Sequence, residues 1–479
     1  MTKKIKIYLV LFSIIISHLF FLNLYSVNFE FHFLDKNNFL LSDFFLFINE
    51  YFNFQANTIV YPLIIASLRF IFPFLDPLII GRLLSIVGVI LIFFSIIRLI
   101  EYYKLKFNFI ILILILLNPI IWVMGHRATP DFFSASLAIF AITHILPSKK
   151  YYNYIFLSLI LGLSISIKPI VGIFLILFNL NILLNYIFDK KLDYLKLIFV
   201  NVFSLIIPLL YFYYIFYKFN FFISDEYHMN SLKNKNFFEY FCNFIIYIGY
   251  IYLFILPLRL NIFKNLLNQS NHNKIIFFIT SIIISFLGFH YLKPTLEINL
   301  SFISNLIDRR FESSLYFLTF LLFIYELFNN RSKLLNKNIL ILFIVIIVYF
   351  ITISFFTPSQ RYLIPIVPIF FLLIFSLPNN NFSLFLLFIY LFFNTLLISN
   401  QFLVGKISHE FVDKLSKSNL LYNSCPGVIE AHVGYKFTKM NKNCDYTQHI
   451  IFGDSLKSIY SYKINFFFID KTLSLIKID

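Results

Sequence analysis

The chain has 479 residues, 60% of them hydrophobic and 21% aromatic, with a formal net charge of +16. Its mean hydropathy of +0.83 excludes a soluble globular domain, because such a domain has no way to hide so much apolar surface. The positive charge does not point to nucleic acid either, since Lys and Arg lie in short clusters between apolar segments, as the positive-inside rule expects. Ile, Phe, Tyr, Asn and Lys are abundant in the way an AT-rich coding bias produces, so most of the 68 Phe residues read as lipid-facing filler.

Taken in chain order, the apolar runs predict an all-α polytopic membrane protein with about 13 transmembrane helices, each near the ~20 residues a bilayer needs. The first covers 7–26, after Lys3, Lys4 and Lys6. No small-residue cleavage site follows it, so it reads as a retained helix and not a signal peptide. A polar interruption follows from Val27 to Pro62, with Glu30, Asp35, Asp43 and Glu50. Within it Phe39, Leu40, Phe44, Phe47, Ile48 and Tyr51 recur at roughly helical spacing, as an interfacial helix requires; an ordinary solvated loop fits equally well.

The run 59–74 is short and interrupted and reads as a half-helix or interfacial helix. Spans follow at 77–100, 107–124, 130–147, 153–168, 169–187, 196–217, 241–260, 275–292, 313–329, 338–356, 361–377 and 382–400. Residues 1–400 form the membrane domain, and 401–479, less hydrophobic and of mixed periodicity, a small extracytoplasmic domain. The basic clusters at 101–106, 148–150, 189–196, 259–274 and 331–337 share one side with the amino terminus, and that side is expected to be cytoplasmic. An odd span count puts the carboxy terminus outside, where Cys425 and Cys444 are free to form a disulfide; Cys242 lies within a span. Neither GxGxxG nor GxxxxGK[ST] occurs, so no nucleotide-binding domain is expected.

Three polar constellations fall on the outer face. MGHRATPDFF holds His126, Arg127 and Asp131, with Thr129 suited to a helix cap and Pro130 to the first turn. Asp131 serves either a site or the helix dipole. TPSQRYLIPIVP puts Arg361 and Tyr362 at the mouth of a span broken by Pro365 and Pro368, an arrangement tolerated only beside protein or a wet cavity. Lys168–Pro169 places a lysine between two apolar runs, where snorkelling competes with ligand binding. Charges near membrane depth cost about 2.5–3.5 kcal/mol on insertion scales, which makes these residues functional candidates.

The first span, the acidic outer loop, YPLIIASLRFIF, GRLLSIVG, GHRATPDFFSASLAIFAI and QRYLIPIVP occur in an order that resembles the GT-C membrane glycosyltransferases. The resemblance is to the bacterial relatives of dolichyl-phosphate-mannose protein mannosyltransferases and aminoarabinose lipid A transferases, over about residues 1–400. It implies transfer of a sugar from a polyprenyl-phosphate donor, with inversion, to a lipid, glycan or protein acceptor on the extracytoplasmic face of the bacterial inner membrane. It implies a carboxylate of the first loop as general base: Asp43 matches best, with Asp35 as the alternate. Asp43 is followed by Phe44 where an adjacent acidic pair is common in the family, so no metal or other cofactor is expected. Arg127 and Arg361 are the expected phosphate ligands, with Lys168, His126, Asp131 and Tyr362 around them. A transporter or flippase of a lipid-linked substrate, or a polysaccharide polymerase, is the alternative reading.

Overall fold

The computed structural model describes residues 3–22, 60–105, 109–190, 192–219, 236–291, 309–356, 359–377, 384–417, 448–452, 458–466 and 469–477. The carboxylate loop, with Asp35 and Asp43, and the pair Cys425 and Cys444 lie outside the described residues. Helices α1 (Lys3–Phe20), α2 (Val60–Ile71) and α3 (Pro77–Tyr102) open the chain, followed by α4 (Phe109–Leu116), α5 (Pro119–Met124), α6 (Pro130–Ile145) and α7 (Tyr151–Ile167). Then come α8 (Ile173–Asp189), α9 (Tyr194–Phe219), α10 (Phe237–Ile255), α11 (Asn261–Leu267), α12 (Asn271–His290) and α13 (Arg309–Asn329). The short α14 (Arg331–Leu334) precedes α15 (Lys337–Ser354), α16 (Val367–Ser376) and α17 (Leu384–Lys417).

The chain is an integral membrane protein. Among the described residues, 8 helices are long and apolar enough to cross a bilayer, and five shorter apolar helices accompany them. Each expected span contains helix, though several, 107–124 and 361–377 among them, do not run unbroken. The run 107–124 breaks between α4 and α5 because Asn118 precedes Pro119: proline removes a donor and disfavours helical backbone at the residue before it. The Asn118 side chain caps the new helix by accepting the Ile120 N–H at 3.0 Å. The run 59–74 holds one short helix, as both the half-helix and the interfacial readings require, and α2 buries Tyr61, Pro62, Ile65 and Ala66.

Apolar packing of α3, α6 and α7, of α7 on α9, and of α10, α12 and α13 together builds the core. The outer faces carry large exposed apolar side chains: Ile275, Phe278, Ile282 and Phe286 line α12. Between lipid and a neighbouring helix the hydrophobic effect gives little preference, so close approach is what holds such helices together. Gly249 illustrates the point: a side chain there would overlap the Tyr316 carbonyl of α13.

α17 runs without a break through residue 400 to Lys417. Beyond it a three-stranded antiparallel sheet, β1 (Gln448–Phe452), β2 (Ser458–Phe466) and β3 (Ile469–Lys477), has β3 in the centre. Leu473 and Leu475 are fully buried, and β2 and β3 pack on α17. Tyr462 donates to Glu410 at 2.7 Å, and the Phe411 and Tyr460 rings lie 5.7 Å apart.

Candidate active site

The site assembles where three elements begin or break. α6 opens with Thr129 in extended backbone, its hydroxyl accepting the Phe132 N–H at 3.4 Å. Pro130 fills the first turn, and Asp131 follows it, 5% exposed. α7 ends at Lys168, whose extended backbone (φ −145°, ψ 105°) follows from the proline after it. A 3-10 turn, Pro169–Gly172, then leads into α8. The third element is another 3-10 turn, Gln360–Leu363, between α15 and α16; it packs against α5 and α6 and presents Arg361.

These ends converge. Lys168 Nζ lies 3.4 Å from Asp131 Oδ1, and Arg361 Nη1 lies 3.7 Å from Asp131 Oδ2. Both separations exceed the roughly 2.7–2.9 Å of a tight charge-assisted hydrogen bond. The two cations keep 20% and 30% of their side chains exposed, against 5% for the carboxylate. Asp131 is therefore a buried counter-ion behind two cations that face outward. Arg361 Nε also donates to Ser359 Oγ at 3.3 Å.

The loop between α5 and α6 adds a second group. Arg127 is 1% exposed, and its carbonyl accepts a hydrogen bond from Ser85 of α3 at 2.6 Å. His126 is equally buried, with Nδ1 2.9 Å from the Trp122 carbonyl. Burial, reinforced by the Arg127 guanidinium beside it, pushes His126 well below the ordinary imidazole range. A neutral ring with its proton on Nδ1 leaves Nε2 as an acceptor, and Nε2 has no hydrogen-bond partner among the described residues. Tyr362 is half-buried, its ring 5.9 Å from Phe356 and its carbonyl accepting from the Tyr349 hydroxyl.

Asp131, Lys168 and Arg361 are thus brought together, and the described ion-pair partner of Arg361 is Asp131. Arg127, the other expected phosphate ligand, lies in the loop just before Asp131. Two residues escaped the sequence reading. Arg82 of α3 is buried and donates to the Leu22 carbonyl at 2.6 Å. His18 of α1 is fully buried, 5.6 Å from the Trp122 ring and 5.8 Å from His126, and neither of its ring nitrogens has a hydrogen-bond partner among the described residues. A lone charge within GRLLSIVG was the available signal for Arg82; His18 gave none.

Arg82, Arg127, Lys168 and Arg361 lie around the site, with Asp131 as the buried carboxylate between two of them, an arrangement suited to an anion. No three His, Cys, Asp or Glu side chains group there as metal ligands among the described residues.

No protein-family model and no curated protein matches the chain. Two solved structures do: ArnT from Cupriavidus metallidurans bound to undecaprenyl phosphate, and the same protein in the apo state. The first is 13% identical, covers 88% of each chain and has a TM-score of 0.36. The second is 12% identical, covers 88% of this chain and 87% of the other, and has the same TM-score of 0.36. A likeness at that level carries no weight for function, which rests instead on this chain's own side chains.

Proposed function

We propose that the chain is a GT-C-type membrane glycosyltransferase that moves a sugar from a polyprenyl-phosphate donor to a lipid, glycan or protein acceptor on the extracytoplasmic face of the inner membrane. One observation carries the reading. Lys168 and Arg361, from separate elements, flank a buried Asp131 at the end of the bundle where three apolar helices break. A polyprenyl phosphate keeps its tail in the bilayer, so its phosphate stops near headgroup depth, where a bidentate guanidinium and an ammonium are well suited to meet it.

In the chemistry this supports, the acceptor hydroxyl oxygen bonds to the anomeric carbon while the bond from that carbon to the phosphate oxygen breaks. The electron pair leaves with the phosphate. The acceptor proton passes to a carboxylate of the first outer loop, Asp43 or alternatively Asp35. Negative charge grows on the leaving phosphate, so Arg361 and Lys168 contribute more in the transition state than in the ground state.

The test is a variant series in lipid nanodiscs. Arg361→Ala should depress both undecaprenyl-phosphate affinity and turnover, and Arg361→Lys should restore part of each. Asp43→Asn should lose about 10²–10⁴-fold in turnover with affinity kept. Near-normal turnover in Arg361→Ala removes that residue from the site. An inactive Asp35→Asn beside an active Asp43→Asn reassigns the base.

A further inference from the structure

The turn that presents Arg361 is unusual in how its backbone is satisfied. Between α15 and α16 the chain leaves the helix inside the bundle, and every backbone N–H and C=O freed there needs a partner. Side chains from two neighbouring helices supply several of them. Tyr247 of α10 accepts the Ser359 N–H at 3.0 Å. Tyr250, one turn on, donates to Gln360 Oε1 at 3.4 Å. Asn243, one turn earlier, donates to the Ser354 carbonyl at 3.0 Å and the Phe356 carbonyl at 3.4 Å. From α15, Tyr349 donates to the Tyr362 carbonyl.

Asn243, Tyr247 and Tyr250 are spaced by four and three residues, so they form one stripe on α10 facing the break. All three tyrosines are buried. The chain uses 68 Phe and 31 Tyr, so Phe is the more frequent bulky aromatic by about twofold. A phenyl ring would occupy the same volume at 247, 250 and 349. The hydroxyls are what the turn uses.

We propose that Asn243, Tyr247, Tyr250 and Tyr349 are positioning residues that hold the 359–363 turn so that Arg361 stands ready for an anionic phosphate. This rests on the phosphate-binding reading above. They grip the turn's backbone and the Gln360 amide, and act on the ligand through Arg361. Their effect is on the population of the competent turn: if that fraction falls, apparent affinity falls with it while saturated turnover changes little.

Hydrogen–deuterium exchange and ligand binding on the full chain in nanodiscs test this, with Tyr247→Phe and Tyr349→Phe made singly and together. Backbone exchange within 359–366 should quicken by about tenfold in the double variant, and the apparent affinity for undecaprenyl phosphate should weaken by about the same factor. Turnover at saturation should stay within about twofold of the unsubstituted protein. Tyr252→Phe is the control. It removes a hydroxyl that bonds Glu326 of α13 and not the turn, and should leave both the turn's exchange and the affinity alone. Unchanged exchange in the turn overturns the proposal. Faster exchange with undiminished affinity overturns it too, because the turn's order would then be irrelevant to the ligand. If the unsubstituted protein takes up no undecaprenyl phosphate, the functional reading falls, and the exchange data alone still decide whether the hydroxyls hold the turn.

Discussion

Asp131 is the residue through which the two outward-facing cations are connected. At the second position of α6 it also faces the helix dipole, which is worth about 0.3–1 kcal/mol there. That small term does not explain why Lys168 and Arg361 both approach it, at 3.4 and 3.7 Å. Asp131→Asn keeps the shape and the helix start but removes the charge. Turnover should fall by at least about tenfold, while the protein remains folded and still retains undecaprenyl phosphate. The cations keep their solvent-facing surface, so the loss should appear in catalysis and not in thermal stability. Normal turnover per folded molecule, with only a small fall in the thermal midpoint, would mean that Asp131 merely supports the start of α6. The sequence singles out His126, Arg127, Asp131, Lys168 and Arg361, with Tyr362 beside the last, because a polar or charged residue in an apolar run is conspicuous. It missed the pairing, because spacing along the chain says nothing about which of three distant segments meet. Tyr247, Tyr250 and Tyr349 were invisible for the opposite reason: one tyrosine among 31 looks like filler.

Elements were more legible than residues, and their breaks most of all. Hydropathy marked each expected span, but a hydropathy run does not register an internal stop, so 107–124 was read as one helix. The Asn118–Pro119 pair was the cue, and its cap geometry follows from those two residues alone. The break before α16 was expected, since Pro365 and Pro368 announced it. Helix crossings stayed hidden, because a glycine contact shows only once the partner is known. Gly249 is the sharpest case: its missing side chain lets α13 lie against α10, and the Thr319 hydroxyl donates to the Gly249 carbonyl at 2.8 Å. Gly249→Ala should therefore destabilise by more than the about 1–3 kcal/mol typical of overpacking, because backbone and not a flexible side chain must move. Thermal unfolding in detergent gives the check, with Gly172→Ala as comparison, where an added methyl meets only ordinary contact. Equal stability of the two variants would mean that α10 and α13 separate more readily than their packing indicates.

For the whole molecule, the course of α17 ties the carboxy-terminal sheet to the site. Its first half packs against the 256–259 turn, at the end of the bundle where Arg259 and Glu326 pair at 2.7 Å. Further along, Phe402 meets Phe21 with ring centroids 5.4 Å apart, and Phe21 lies 6.4 Å from His126. α17 has therefore reached the site end by about residue 402. Its 34 residues span about 50 Å at ~1.5 Å each, well beyond the ~30 Å hydrocarbon thickness. The excess, with Glu410 and Phe411 holding Tyr462 and Tyr460, projects on the side of Arg361. α1 runs in the same sense, from Lys3 up to Phe20 beside the site, so the amino terminus starts at the far end. The two termini should thus lie on opposite faces, with the sheet on the face that receives the donor. A reporter active only after export, fused behind Asp479, should be active, and one that works only in the cytoplasm should be silent there. The reverse pattern would invert the orientation and place Lys168 and Arg361 on the cytoplasmic side, where a donor delivered to the outer leaflet never reaches them.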